Sequence, residues 1–165
     1  LEGTGRIQGV DTVSSSTDAA NKAYVDGKVG SGTNTQTIIT SHFYDGSSTT
    51  SSIRIPFNNL TESTSNQYYN HFDCPANGTI KRIRMHNTSG TMSTSFTTIF
   101  DIFVNGGGSA DQSSGSLTAS SAAIEYDPDY SFSKGDSIQI AYRKSAGSKY
   151  WYGVSASMII EFTQV

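Results

Sequence analysis

From about Thr37 onward, apolar residues recur at every second position, the spacing that puts them on one face of a β-strand. Ile53, Ile55 and Phe57 alternate with Arg54 and Pro56. In the run from Thr79 to His86, Ile80, Ile83 and Met85 are apolar, and Lys81, Arg82 and Arg84 supply the outer face. The step from Ile80 to Ile83 breaks the alternation and leaves room for a bulge. The run from Ile99 to Val104 is apolar everywhere except Asp101, which predicts a strand covered on both faces. Ile138, Ile140 and Tyr142 alternate with Gln139, Ala141 and Arg143. The longest pattern is the last: Tyr152, Val154, Ala156, Met158, Ile160 and Phe162 occupy successive alternate positions. Such a strand should cross the centre of a sheet with one apolar face inward.

Turn signals separate these runs. Asp45-Gly46, Asn77-Gly78, Ser89-Gly90 and Lys134-Gly135-Asp136 each place Gly beside a polar residue, and Asp127-Pro128-Asp129 marks a corner. Gly106–Gly108 lacks a Lys and a following helix, so it reads as a turn and not a phosphate loop. The low-complexity stretch 106–121 reads as an exposed loop. Roughly seven to nine strands in this texture predict an all-β fold, an antiparallel β-sandwich of jelly-roll type, over 37–165.

Residues 1–36 follow a different rule. Apolar residues are too sparse there for a core, and one short helix is predicted over about 17–28, capped by Thr17 or Asp18. Ala20, Ala23, Tyr24 and Gly27 fall on one narrow face of it. A helix of about 11 residues is marginal alone in water, so it needs neighbours. Small Ala side chains on that face admit other copies closely, which makes Ala20, Ala23 and Tyr24 the expected contacts between copies. Gly30-Ser31-Gly32-Thr33-Asn34 then forms a flexible joint to the β-rich part.

The segment from Gly5 to Val13, Gly-Arg-Ile-Gln-Gly-Val-Asp-Thr-Val, is followed by Asp18-Ala19-Ala20-Asn21-Lys22-Ala23-Tyr24-Val25-Asp26. This wording resembles a short segment frequent in bacteriophage tail fibres and related virion fibre proteins, where it joins shaft segments or leads from shaft to distal head. The resemblance covers about residues 5–29. It implies a homotrimer whose chains wind together through this region. It further implies a place in the virion, assembly with other fibre or tail proteins, and production in the host cytoplasm. The remainder is similar, more generically, to trimeric fibre heads and to the jelly rolls of the tumour-necrosis-factor and complement-head type, through Phe132-Ser133-Lys134-Gly135-Asp136-Ser137-Ile138 and the closing strand. The function this implies is non-catalytic attachment to a host-surface glycan or outer-membrane protein. The alternatives are a trimerising cap without receptor binding, or a complement-head-like lectin or adhesin. Leu1 is not a natural start, so further sequence is expected upstream.

Composition narrows the chemistry. The chain carries 27 Ser and 19 Thr among 165 residues, yet 9 Tyr, 8 Phe and 1 Trp argue against disorder. A net charge of −3 leaves no electrostatic footprint for nucleic acid. No apolar run reaches the length of a membrane span, and no secretory signal is visible. Cys74 is the single cysteine, so no intrachain disulfide forms, and it reads as a small buried hydrophobe at a strand end. That fits a reducing cytoplasm. His42, His71 and His86 are widely spaced, so no metal site is expected, although the fibre resemblance leaves open an axial metal held by one His from each chain. No cofactor motif, nucleophile elbow or acid/base carboxylate pair is present, so no enzyme is expected. Asp127 and Asp129 read as turn residues. Asn59, Asn77 and Asn87 match the glycosylation acceptor pattern as chance does in so Ser/Thr-rich a chain. The candidate receptor-binding residues are Tyr68, Tyr69, Tyr150 and Trp151. If Tyr150 and Tyr152 face the core, Trp151 faces solvent or a neighbouring subunit. These rings serve either the core and trimer interface or a sugar-stacking platform.

Overall fold

The computed structural model describes residues 35–45, 50–57, 70–88, 97–119, 123–145 and 151–163. The predicted helix over 17–28, with Ala20, Ala23 and Tyr24, lies outside these residues, as does the joint that follows it. Thr35–Thr163 form one compact unit. All its regular elements are strands, and every strand pair among the described residues is antiparallel.

One sheet consists of β1 (Thr35–Asp45), β11 (Trp151–Phe162), β4 (Gly78–Asn87) and β8 (Ala123–Tyr126), in that order, with β9 (Tyr130–Phe132) continuing along β4. The other has β2 (Ile53–Arg54), β10 (Ser137–Lys144), β5 (Thr97–Val104) and β6 (Gln112–Ser113), in that order. There β3 (Phe72–Asp73) also pairs with β10 and β7 (Leu117–Thr118) with β5. The inner faces share one core. Ile80, Ile83, Met85, Val154, Ala156, Met158 and Ile160 from the first sheet meet Ile53, Phe100, Ile102, Ile138, Ile140 and Tyr142 from the second. Rings bridge the gap: Phe43 lies 6.3 Å from Tyr142, and Phe100 stacks on Tyr126 at 6.4 Å. Ser41 Oγ also donates across the sheets to the Pro56 carbonyl at 2.8 Å.

The last strand is central, paired with β1 and β4 along its two edges, and its apolar face is fully buried from Val154 to Ile160. The irregularity read at Ile80–Ile83 is a bulge: Ile159 pairs with Arg82 and Ile160 with Ile80, which leaves Lys81 as the extra residue. Strand β5 is covered on both faces, with Phe100 and Ile102 buried inward and Asp101 and Phe103 buried outward. Cys74 is buried directly after β3.

Three features depart from the sequence pattern. The stretch 106–121 is not simply an exposed loop, because β6 and β7 within it pair with β5 and Ser114 donates its N–H to the Phe100 carbonyl. The hydroxyl of Ser114 accepts from the Phe100 N–H in return, so a small polar residue serves as a ladder rung where no apolar pattern advertises one. Gln139 and Ala141, which alternate with the apolar residues of β10, are buried as well. A second bulge, invisible in the alternation, sits on β11: Phe43 pairs with Val154 but Asp45 with Trp151, so two β11 residues oppose one on β1. Gly153 occupies it at φ 70°, a conformation other residues adopt only with strain.

Candidate functional site: the Asp45 end and the outer face of the first sheet

The register gives the unit two distinct ends. Thr35 pairs with Phe162, and Phe162 with Gly78, so the chain enters the β unit where its last strand finishes. At the opposite end β1 finishes at Asp45, β4 at Asn87, β7 at Thr118 and β10 at Lys144, while β5, β8 and β11 begin. The connections that follow β1, β4, β7 and β10 therefore all leave from the Asp45 end. Loops carried on a rigid β scaffold are the usual seat of recognition.

That end rests on a buried ion pair. Lys144 Nζ lies 2.5 Å from Asp45 Oδ2, and neither side chain has exposed surface. Asp45 belongs to the first sheet and Lys144 to the second, so the pair ties them together at the rim. Beneath it lie Phe43 and Tyr142. Beside it Thr98, the cross-strand partner of Lys144, is fully buried, and its hydroxyl makes no hydrogen bond. At the rim Ser145 closes the β10–β5 ladder twice: its N–H donates to the Thr97 carbonyl and its hydroxyl accepts from the Thr97 N–H, both at 2.9 Å.

Of the candidate receptor-binding residues, Trp151 lies at this end as the backbone partner of Asp45. The β11 bulge separates it from the regular alternation, so the facing of Val154 does not extrapolate to it. Tyr150 belongs to the adjoining connection but lies outside the described residues, as do Tyr68 and Tyr69.

The outer face of the first sheet is the second feature. Ile38 and Tyr44, both on β1, are large hydrophobics 64% and 51% exposed. Cross-strand rows run from Ile38 through Ile159 to Arg82, from Thr40 through Ser157 to Arg84, and from His42 through Ser155 to His86. Toward β8 the face becomes charged, and its charges are paired. Lys81 meets Asp129; Arg82 grips Asp127 with two hydrogen bonds at 2.6 and 2.9 Å; Arg84 meets Glu125 at 2.8 Å. The Asp127-Pro128-Asp129 corner therefore supplies anions to the neighbouring strand, and Asp129 takes a left-handed φ of 46° there.

The outer face of the second sheet is closed by polar groups. Arg143 holds Asp101 in a fork at 2.6 and 2.9 Å, and Ser113 and Ser52 donate to the same carboxylate. Burial pushes the Asp101 carboxyl up, but these partners outweigh it and hold it below the usual carboxylate range. The Arg54 guanidinium lies 3.6 Å over the Phe103 ring, with its Nε toward Gln139. Among the described residues, no three His, Cys, Asp or Glu side chains cluster as metal ligands; His42 and His86 share a row, and His71 stands 3.6 Å from Asp73. Each described carboxylate has a cation or hydrogen-bond donor beside it. Among the described residues, no helix is long and apolar enough to cross a membrane.

No protein-family model matches the chain, and no curated protein is significantly similar to it.

Proposed function

We propose that the chain is the distal end of a bacteriophage tail fibre or related virion fibre, a homotrimer that attaches to the host surface without catalysis. The polarity of the β unit is the observation that carries this reading. The chain enters at Thr35 on one end, and β1, β4, β7 and β10 all finish at the other, where an adhesive tip would lie. The Asp18–Asp26 segment, with its fibre-like wording, precedes that point of entry. The strand orders support a jelly-roll sandwich. Counting β2/β3, β6/β7 and β8/β9 as one strand each, the sheets read 1-8-3-6 and 2-7-4-5, two interleaved Greek keys.

Self-association is assigned to the outer face of β1 and β11. Ile38 and Tyr44 are apolar area that two further copies would cover, and the Ser and Thr rows between them permit close approach. Their place on an edge strand makes an unassociated chain prone to random pairing, which an ordered trimer prevents. Three heads per fibre turn weak contacts into firm adhesion by raising effective concentration. Such a protein resides in the virion and is made in the host cytoplasm.

Sedimentation equilibrium and surface staining test the reading together. The trimer mass should be found at micromolar concentration, Ile38→Asp should shift it toward monomer, and the fluorescent chain should stain host cells. A wild-type monomer refutes the trimer. A trimer that fails to stain cells or block infection refutes attachment and leaves a structural cap.

A further inference from the structure

A cleft of about 460 Å³ opens at the side of the unit, between the edge strand of each sheet. Leu117 and Thr118 of β7 form one wall, Ala123, Ile124 and Glu125 of β8 the other, and Arg84 of β4 reaches its rim. This volume lies within the range of small-molecule sites. Leu117 and Ala123 are half-buried and Ile124 is buried, so the floor is apolar. Thr118 is exposed beside it.

The ion pair at the rim differs from its counterparts. Arg82 and Arg143 each engage their carboxylate through two nitrogens, which satisfies both partners. Arg84 meets Glu125 through Nε and Oε1 alone. Among the described residues the terminal guanidinium nitrogens and Glu125 Oε2 have no hydrogen-bond partner, on side chains 43% and 49% exposed. The rim thus offers donors and an acceptor side by side, held in place by the bond between them, with no net charge. An anionic ligand would meet Glu125 and a cationic one Arg84. A neutral ligand with vicinal hydroxyls meets neither penalty: one hydroxyl accepts from Arg84 while the next donates to Glu125. Such a ligand must also have an apolar face to cover Leu117 and Ala123. A neutral hexopyranose has both.

We propose that this cleft binds a neutral pyranose of a surface glycan. The inference rests on the attachment reading for its biological sense, and it names the chemistry of the receptor. Among the described residues no aromatic ring lines the cleft, so affinity per site is weak, with a Kd on the order of millimolar, raised by multivalency.

Two-dimensional amide NMR of the labelled chain, titrated with methyl glucopyranoside, galactopyranoside and mannopyranoside separately, tests this. At least one should give saturable shifts at Leu117, Thr118 and Ala123–Glu125, and methyl glucuronide should bind more weakly. Glu125→Ala should weaken binding about tenfold or more, as loss of a hydrogen bond to a charged group does. Leu117→Ser, which removes the floor and leaves the rim, should weaken it as well. Absence of saturable shifts with all three sugars overturns the proposal, and so do shifts that survive both substitutions. Host-cell staining separates this from the attachment reading. Staining without saturable shifts overturns the cleft alone, whereas shifts without staining overturn attachment and leave the cleft standing.

Discussion

Lys144→Met is the most informative single perturbation of this fold. Methionine keeps the length of the side chain and removes its charge. Both members of the Lys144–Asp45 pair have no exposed surface, so water cannot replace the lost cation. Removing one partner of a buried pair leaves an uncompensated charge and costs about 3–5 kcal/mol. With a urea dependence of roughly 2 kcal/mol per molar, the unfolding midpoint should fall by about 2 M. The double variant Asp45→Leu, Lys144→Met removes both charges and should return to within about 1 kcal/mol of wild type, since apolar replacement of a buried pair is often neutral. Urea unfolding at one fixed protein concentration measures both, because association adds to apparent stability. The reasoning fails if the single variant loses less than about 1 kcal/mol, or if the double variant loses as much as the single.

Further outcomes follow from other sites. Asp101 is held below the usual carboxylate range in the folded chain, so its contribution to stability is present above the unfolded value near 3.9 and fades as pH falls through the folded one. Melting temperature should drop below about pH 4 in wild type, and the drop should shrink in Asp101→Asn; equal profiles would remove Asp101 from the account. Burial, with the negative charges of Asp136 and Asp73 nearby, pushes the Cys74 thiol up to about 12. The native chain should therefore resist a thiol-reactive disulfide that labels it fully in guanidinium, and rapid native labelling would contradict the burial. A Cβ on Gly78 would come within 2.8 Å of the Glu161 carbonyl and 2.7 Å of the Phe132 ring. The carbonyl cannot yield, so Gly78→Ala should cost about 1–3 kcal/mol by calorimetry, and a neutral result would show that β4 and β11 slide apart easily.

Much of the framework was legible because its signals are local. The alternation from Val154 to Ile160 names a central strand directly, and the Ile80–Ile83 step marks the bulge at Lys81. The continuous apolar run around Phe100 requires cover on both sides. What stayed hidden depends on residues distant in sequence. Asp45 and Lys144 are 99 positions apart, and neither carries a mark of burial until the two sheets meet. Gln139 and Ala141 look like an outward face, yet they lie beneath the layer that Arg54 and Arg143 help to form. The candidate binding residues stand out in the sequence as aromatic, whereas the cleft between β7 and β8 is built from Leu117, Ile124 and an incompletely bonded ion pair. Pattern alone does not mark such a place, because it exists only where two edge strands come together.

The pairing of the first strand with the last has a mechanical consequence. The β1–β11 ladder runs from Thr35–Phe162 to Asp45–Trp151, and its hydrogen bonds lie across the strand direction. When the chain is pulled at Thr35 while the Asp45 end is held, the load runs along β1. The rungs then bear it together in shear, instead of opening one at a time as in a peeled hairpin. Rupture requires many to fail at once, so the unit is strong along the axis of β1 and weak across it. Resistance to force is governed by the unfolding rate and not by equilibrium stability, so this clamp can hold under tension even where the fold is only modestly stable.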